Sequence, residues 1–171
     1  EWDRGTLESI FVTPVRPLEI IAAKMIPYFC IALVGLVLCL VAAYYGYGVP
    51  MHGSLALILL SSIEYIFVAI GMGLTISSLT KNQFLACQFA IMGTFMPALM
   101  LSGFLYDILN MPPAVRAITC IIPARYYVTL LQTLFLAGDI PSVIIPCCIT
   151  LGVFAVVLMS IARLKAPKSL E

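Results

Sequence analysis

Charged residues are scarce in this chain. Lys and Arg number 9 and Asp and Glu number 8 among 171 residues, and charged residues make up 10% of the sequence, against about 25% in an average soluble domain. Hydrophobic residues make up 63%, and the mean hydropathy is +1.12. This composition indicates a polytopic membrane protein. The net charge of +1 provides no basic surface for nucleic acid, so we expect no nucleic-acid partner.

Further absences narrow the possible functions. The sequence contains no G-x-x-x-x-G-K-[ST] stretch, so the chain has no P-loop of its own to hold ATP phosphates. Its six cysteines lack C-x-x-C or Cys/His spacing, and we interpret them as small buried hydrophobes rather than as metal ligands or disulfides. The chain begins with Glu1 and shows no basic leader before a cleavage site, so we expect it to be a fragment of a longer protein.

Four apolar segments are long enough to cross a bilayer as helices, which takes about 20 residues. They are residues 25–47, 55–79, 84–104 and 143–161. A fifth apolar segment, residues 114–136, is broken by Pro123 and carries Arg116 and Arg125. Such a segment is a poor lipid-facing span but a plausible pair of half helices packed against protein. We therefore predict an outer loop, residues 105–138, that contains re-entrant helices.

The basic residues orient these spans. If the N-terminus is cytoplasmic, seven of the nine basic residues lie inside, as the positive-inside rule requires. The seven are Arg4, Arg16, Lys24, Lys81, Arg163, Lys165 and Lys168. The sequence therefore predicts that both termini are cytoplasmic, with residues 162–171 as a short inner tail.

Two spans carry small residues at every fourth position. These are Ala69, Gly73 and Ser77 in the second span, and Ala86, Ala90, Thr94 and Ala98 in the third. Small residues allow helices to approach closely in lipid, so we expect these faces to pack, although small residues are also common in spans without that role. Pro97 predicts a kink in the third span.

Glu64 is the only acidic residue deep inside a predicted span. It follows Leu55 by nine residues, which corresponds to a depth of about 14 Å from the outer end of the helix. A carboxylate at this depth must be protonated or paired, so we expect Glu64 to face the bundle. Arg125 is the predicted partner, and a hydrogen bond to a neighbouring hydroxyl or a protonated packing role are the alternatives.

The first 24 residues read as a water-facing element. Leu7, Ile10 and Phe11 share one face at i, i+3 and i+4, which predicts a short amphipathic helix at the membrane surface. Pro14 ends this helix, and Pro17 fits the first position of a second short helix that leads into the first span.

Several sequence segments together resemble the permease subunits of type-2 ATP-binding-cassette (ABC) exporters. They are W-D-R-G-T-L-E at residues 2–8, T-P-V-R-P-L-E-I at 13–20, L-S-G-F at 101–104, N-M-P-P at 110–113 and I-P-A-R-Y-Y at 122–127. Their order and spacing cover nearly the whole chain.

This resemblance implies a role for each segment. The residues it assigns to a cytoplasmic coupling helix that docks on the ATPase are Trp2, Arg4, Gly5, Thr6, Leu7 and Glu8. It implies that Pro112, Pro123 and Arg125 belong to short re-entrant helices on the outer side. It further implies a permease of six spans, of which this chain is the C-terminal portion.

We therefore expect an all-α polytopic membrane protein that forms the substrate pathway of a drug-efflux-like ABC exporter in the bacterial inner membrane. The chain is expected to be no enzyme and to bind no metal or cofactor. A separate ABC ATPase subunit would bind ATP, and a second permease copy and membrane lipid would be the other partners. Two alternatives remain: a proton- or ion-coupled carrier or small channel that uses Glu64, and a membrane scaffold subunit.

Overall fold

The computed structural model describes residues 17–80 and 82–165. In these two ranges the regular structure is helical, without strands. The α-helices are α1 (Pro17–Val41), α2 (Leu55–Leu79), α3 (Gln83–Ala90), α4 (Met96–Leu101), α5 (Pro113–Thr119), α6 (Pro123–Gln132) and α7 (Pro141–Lys165). Single π-helical turns extend three of them at Ala42–Gly46, Ile91–Phe95 and Thr133–Ala137, and Ile108–Asn110 forms a 3-10 turn.

Four helical segments are long and apolar enough to cross a membrane. They are Met25–Gly46, Leu55–Leu79, Gln83–Leu101 and Pro141–Arg163. The predicted all-α polytopic fold with four spanning helices is thereby confirmed. The third segment ends at Leu101 rather than at residue 104, because Gly103 adopts a positive φ of 89° that an α-helix does not accommodate.

The first spanning helix differs from the prediction at its start. No separate short helix precedes it within the described residues, because α1 runs without a break from Pro17 through Pro27 to Val41. A proline inside a membrane helix is tolerated when the rest of the backbone remains hydrogen-bonded. The first described residues of the chain are therefore rigidly joined to the span.

The packed core is formed by α2, α6 and α7. Its buried apolar side chains are Ile58, Val68, Leu130, Leu134, Ile144 and Leu151. By contrast, the spanning segments Met25–Gly46 and Gln83–Leu101 contain no buried residue. The fold therefore consists of a three-helix core with two spanning helices at its periphery.

Helices α2 and α7 lie side by side and run in the same direction. The two helices approach closely at Gly71, where an added Cβ would lie 3.1 Å from Leu158 Cβ. One turn further along α2, the Thr75 hydroxyl donates to the Leu158 carbonyl at 3.4 Å. Contact between these helices thus depends on a small residue, as is usual in membranes, at a position that the four-residue pattern does not include.

The predicted small-residue face of α2 does not make this contact. Ala69, Gly73 and Ser77 are all exposed, and a Cβ added to Gly73 would have no neighbour within 4 Å. The expectation that this face packs inside the chain is therefore wrong. The corresponding residues of the third segment are half-buried: Ala86, Ala90, Thr94 and Ala98.

The irregularity predicted at Pro97 takes the form of a π-helical turn. Residues Ile91–Phe95 widen the helix directly before α4, in which Pro97 occupies the first turn. Proline lacks an N–H and its ring crowds the carbonyl four residues earlier, so a wider turn relieves that contact.

Helices α5 and α6, with the π turn that follows α6, form a bent pair. The two arms, Pro113–Thr119 and Pro123–Ala137, meet at 89°, so the break predicted at Pro123 is confirmed. Tyr127 contacts Ser62, whereas Leu134 contacts Gly53 nearer the start of α2, so α6 runs antiparallel to α2. The bend consequently lies level with the middle of α2. Entry of this pair from the outer side stays a prediction.

Candidate functional site

The predicted coupling residues lie outside the described part of the chain. They are Trp2, Arg4, Gly5, Thr6, Leu7 and Glu8. Their role therefore stays a prediction. The other predicted site residues, Glu64, Pro112, Pro123 and Arg125, are described and fall into two separate places.

Arg125 ties the two arms of the bent pair together. Its Nη1 donates to Thr119 Oγ1 at 2.6 Å and to Cys120 Sγ at 3.1 Å. Thr119 is fully buried and its hydroxyl donates to the Arg116 carbonyl at 2.8 Å. The guanidinium thus lies at the C-terminal end of α5, where helix carbonyls favour a positive charge. Protein groups thus supply the hydrogen-bond partners of an arginine in the predicted membrane region.

A proline lies at the N-terminus of each helix of this pair. Pro112 caps α5 and accepts a hydrogen bond from the Arg116 amide at 3.0 Å, while Pro123 lies in the first turn of α6, where no N–H is needed. Both predicted proline positions therefore act as helix starts.

The expected pairing of Glu64 with Arg125 is wrong. The hydrogen bonds of Arg125 go to the end of α5, and the polar neighbour of the Glu64 carboxyl is instead the thiol of Cys148 on α7. Glu64 Oε2 is buried and has no hydrogen-bond partner. The alternative of a neighbouring hydroxyl is also not realised for this oxygen.

A buried polar contact that the sequence reasoning missed joins the bent pair to α2. Ser62 Oγ donates to the Ile58 carbonyl at 2.6 Å, so the hydroxyl of Tyr127 must donate to Ser62 Oγ, 3.0 Å away. The Tyr127 ring stacks on that of Tyr65. Two adjacent serines in an otherwise apolar span, Ser61 and Ser62, were the available signal.

A second connection holds the loop before α2 against the end of the bent pair. The Gly53 amide donates to the Leu134 carbonyl at 2.8 Å, and the Ser54 amide donates to Asp139 Oδ1 at 2.8 Å. His52 Nδ1 donates to the Phe135 carbonyl at 3.1 Å, since that oxygen can only accept. Asp139 thereby caps α2 in place of the Ser54 side chain, which makes no capping bond.

Glu64 lines a groove formed by α1, α2 and α7. The groove has a volume of about 510 Å³. Its walls are Ala22 and Met25 of α1, Glu64 and Phe67 of α2, and Ala155, Val156, Met159, Ser160 and Arg163 of α7. We call it the Glu64 groove. It combines apolar, thioether and aromatic walls with one carboxyl group, one hydroxyl group and one guanidinium group.

A second groove of about 490 Å³ lies between α2, the third spanning segment and α7. Thr75, Thr80 and Thr94 are its polar side chains, and the hydroxyl of each donates to a carbonyl of its own helix. No charged residue lines this groove. It therefore offers a ligand an apolar surface but no charge that could select it.

Comparison with known proteins identifies the family. The ABC-2 type transporter family matches residues 1–136. The probable multidrug ABC transporter permease YbhS of Escherichia coli (strain K12) is 41% identical over 171 residues, which are 100% of this chain and 45% of that protein. The probable multidrug ABC transporter permease YbhR of the same strain is 32% identical over 139 residues, 80% of this chain and 37% of that protein.

A more distant relative is eukaryotic. The ABC transporter G family member 20 of Dictyostelium discoideum is 28% identical over 134 residues, 78% of this chain and 18% of that protein. No solved structure matches the chain. The chain spans less than half the length of these relatives. Because the family match extends over 136 of its 171 residues, the chain belongs to the ABC-2 type transporter family.

Proposed function

We propose that this chain is the membrane-spanning part of an ABC exporter permease, which forms the substrate pathway and is driven by a separate ATPase. The observation that carries the proposal is the family match, which includes the N-terminal segment, three of the spanning helices and the bent pair. ATP hydrolysis belongs to the partner, since this sequence has no P-loop.

The route of coupling runs from residues 1–16 into α1. Because α1 is one helix from Pro17 to Val41, a displacement of its cytoplasmic end moves the whole helix. Phe29 of α1 stacks on Phe67 of α2 with ring centroids 5.0 Å apart, which connects α1 to the core. The spanning parts of α1 and of the third segment contain no buried residue. This supports a model in which these two elements move against a fixed core.

The proposed assembly contains two permease copies and an ATPase dimer in the bacterial inner membrane, with both termini of this chain in the cytoplasm. The seven-to-two distribution of basic residues supports this orientation. Drug-like or lipophilic compounds are the proposed cargo, in keeping with the printed names of the two Escherichia coli relatives.

An ion-coupled carrier that uses Glu64 is the second candidate. The observation in its favour is the buried carboxyl oxygen of Glu64 without a hydrogen-bond partner. Such a carrier needs no ATPase, so dependence of transport on ATP hydrolysis separates the two candidates.

The test uses the full-length permease, reconstituted in lipid vesicles together with its ATPase. Glu8→Lys places a positive charge in the predicted coupling helix, and we expect it to abolish ATP-driven transport while leaving insertion and folding intact. Gly5→Pro is a coarser second probe because proline also breaks the helix. Unchanged transport in both coupling variants would contradict the proposal.

A further inference from the structure

We propose that the Glu64 groove binds a lipophilic organic cation, with the Glu64 carboxylate as its counter-charge. This assignment rests on the proposed function, because it names the substrate class of the exporter. It is argued below from the depth of Glu64, from its missing partner and from the chemistry of the groove walls.

The groove runs from the middle of the bundle toward one membrane surface. Cys148 lies beside Glu64 on the parallel helix α7, and Arg163 follows it by 15 residues, which is about 22 Å along the helix. Arg163 is exposed, so it marks the mouth of the groove. The carboxyl group therefore lies at the deep end, and the mouth opens at the predicted cytoplasmic side.

Glu64 forms no ion pair with either described arginine on the helices around it, Arg125 of α6 or Arg163 of α7. Arg125, the nearest candidate by sequence reasoning, is held by Thr119 and Cys120. One carboxyl oxygen of Glu64 is buried without a hydrogen bond, which is costly away from water. A bound cation at this end of the groove supplies the missing charge, whereas a ligand without positive charge does not.

The remaining walls exclude a small inorganic cation. Metal ions such as Ca²⁺ or Mg²⁺ need about six oxygen ligands, and the only side-chain oxygens in the groove lining are those of Glu64 and Ser160. An apolar body matches these walls, which include the ring of Phe67. The thioethers of Met25 and Met159 adapt to ligands of different shape.

The occupant is thus an organic cation with a large apolar surface. A volume of about 510 Å³ lies within the range of small-molecule sites, roughly 300–1,000 Å³. Arg163 does not prevent binding, because it is exposed to solvent and lies about 22 Å along the helix from the level of Glu64.

Tetraphenylphosphonium is a suitable probe because its charge is permanent and its surface is apolar. The protein as its gene encodes it is placed in lipid nanodiscs without ATPase, and saturable binding is measured against empty nanodiscs. We expect Glu64→Gln to weaken binding by at least about tenfold, since one partner of a charge pair in an apolar site is lost. Tetraphenylborate, an anion of nearly the same shape, should show no saturable binding.

Two exposed valines of α7 provide a test position and a control position for the same bulky substitution. Val156 lines the groove and is 67% exposed, whereas Val153 is 57% exposed on the same helix and does not line it. Phenylalanine at position 156 fills the groove, so Val156→Phe should weaken tetraphenylphosphonium binding by roughly tenfold or more. Val153→Phe should bind as the wild type does. This pair tests the site even if Glu64→Gln fails to fold.

Wild-type binding in both Glu64→Gln and Val156→Phe would overturn the proposal, as would equal loss in the two valine variants. Failure of the proposed function is recognised separately. If tetraphenylphosphonium binds in the expected way but ATP drives no export, the site stands and the exporter assignment fails. If ATP-driven export occurs without this binding, the exporter assignment stands and the site is wrong.

Discussion

Tyr65 of α2 and Tyr127 of α6 stack face to face, with ring centroids 4.3 Å apart and planes 2° from parallel. The stack fixes the height of the bent pair against α2, and the hydrogen bond from Tyr127 to Ser62 fixes its rotation. The bend lies only a few residues before Tyr127 in the chain. The same two rings therefore also set the position of Arg125 near the middle of α2.

Removal of the Tyr127 hydroxyl should destabilise the core without disturbing the stack. Tyr127→Phe is expected to lower the free energy of unfolding by about 1 kcal/mol, the usual net value of one buried hydrogen bond. Thermal unfolding in detergent, followed by circular dichroism, measures the change. Tyr28→Phe is the control, since Tyr28 is 60% exposed on α1. Equal stability of the two variants would contradict a structural role for the Tyr127–Ser62 bond.

Loss of the Arg125 guanidinium should loosen the bend. Arg125→Met keeps a long apolar side chain but removes the hydrogen bonds to Thr119 and Cys120, and we expect a loss of about 2 kcal/mol in unfolding free energy. The matched control is Arg163→Met, because Arg163 is exposed at the end of α7. If both variants unfold at the wild-type temperature, the two arms are held by apolar packing alone.

The spans were predictable because each of them is one long apolar run, and a membrane imposes the length. The break at Pro123 was predictable because proline cannot continue a helix and charged residues disfavour a lipid-facing span. Both inferences use local sequence only. They therefore hold without knowledge of how the helices are arranged.

Contacts between helices were not predictable in the same way. The partner of Glu64 depends on the rotation of α7, which brings Cys148 to it, and on the height of the bent pair, which keeps Arg125 at the end of α5. Likewise, Gly71 rather than Gly73 meets α7, a difference of two residues that turns the side chain to the opposite face of the helix.

Close packing at Gly53 gives a prediction about the loop before α2. A Cβ at this position would lie 2.7 Å from the Leu134 carbonyl oxygen and 3.0 Å from Asp139 Oδ1, both closer than normal contact. Gly53→Ala should therefore destabilise the protein by about 1–3 kcal/mol, the usual cost of overpacking. Gly73→Ala is the matched control, because its Cβ meets nothing within 4 Å, and it should lose no stability. Thermal unfolding of the two variants checks the difference.

Orientation in the membrane can be tested at two exposed residues on opposite ends of α2. Pro50 lies in the loop before α2 and Asn82 lies in the turn after it, and both are exposed. In a cysteine-free background, a membrane-impermeant maleimide added to spheroplasts should label Pro50→Cys but not Asn82→Cys until the membrane is permeabilised. Gly53 and Asp139 are poorer sites, since both take part in the contact between the loop and the bent pair.

Labelling of Asn82→Cys alone in sealed spheroplasts would reverse the orientation that the basic residues predict. It would also change the proposed ligand route, because Asn82 lies near the C-terminal end of α2, and parallel α7 has Arg163 near the corresponding end. The mouth of the Glu64 groove would then open to the outside. In the predicted orientation it opens to the cytoplasm, which is the side from which an exporter must collect its cargo, so this experiment tests the geometry on which both proposals depend.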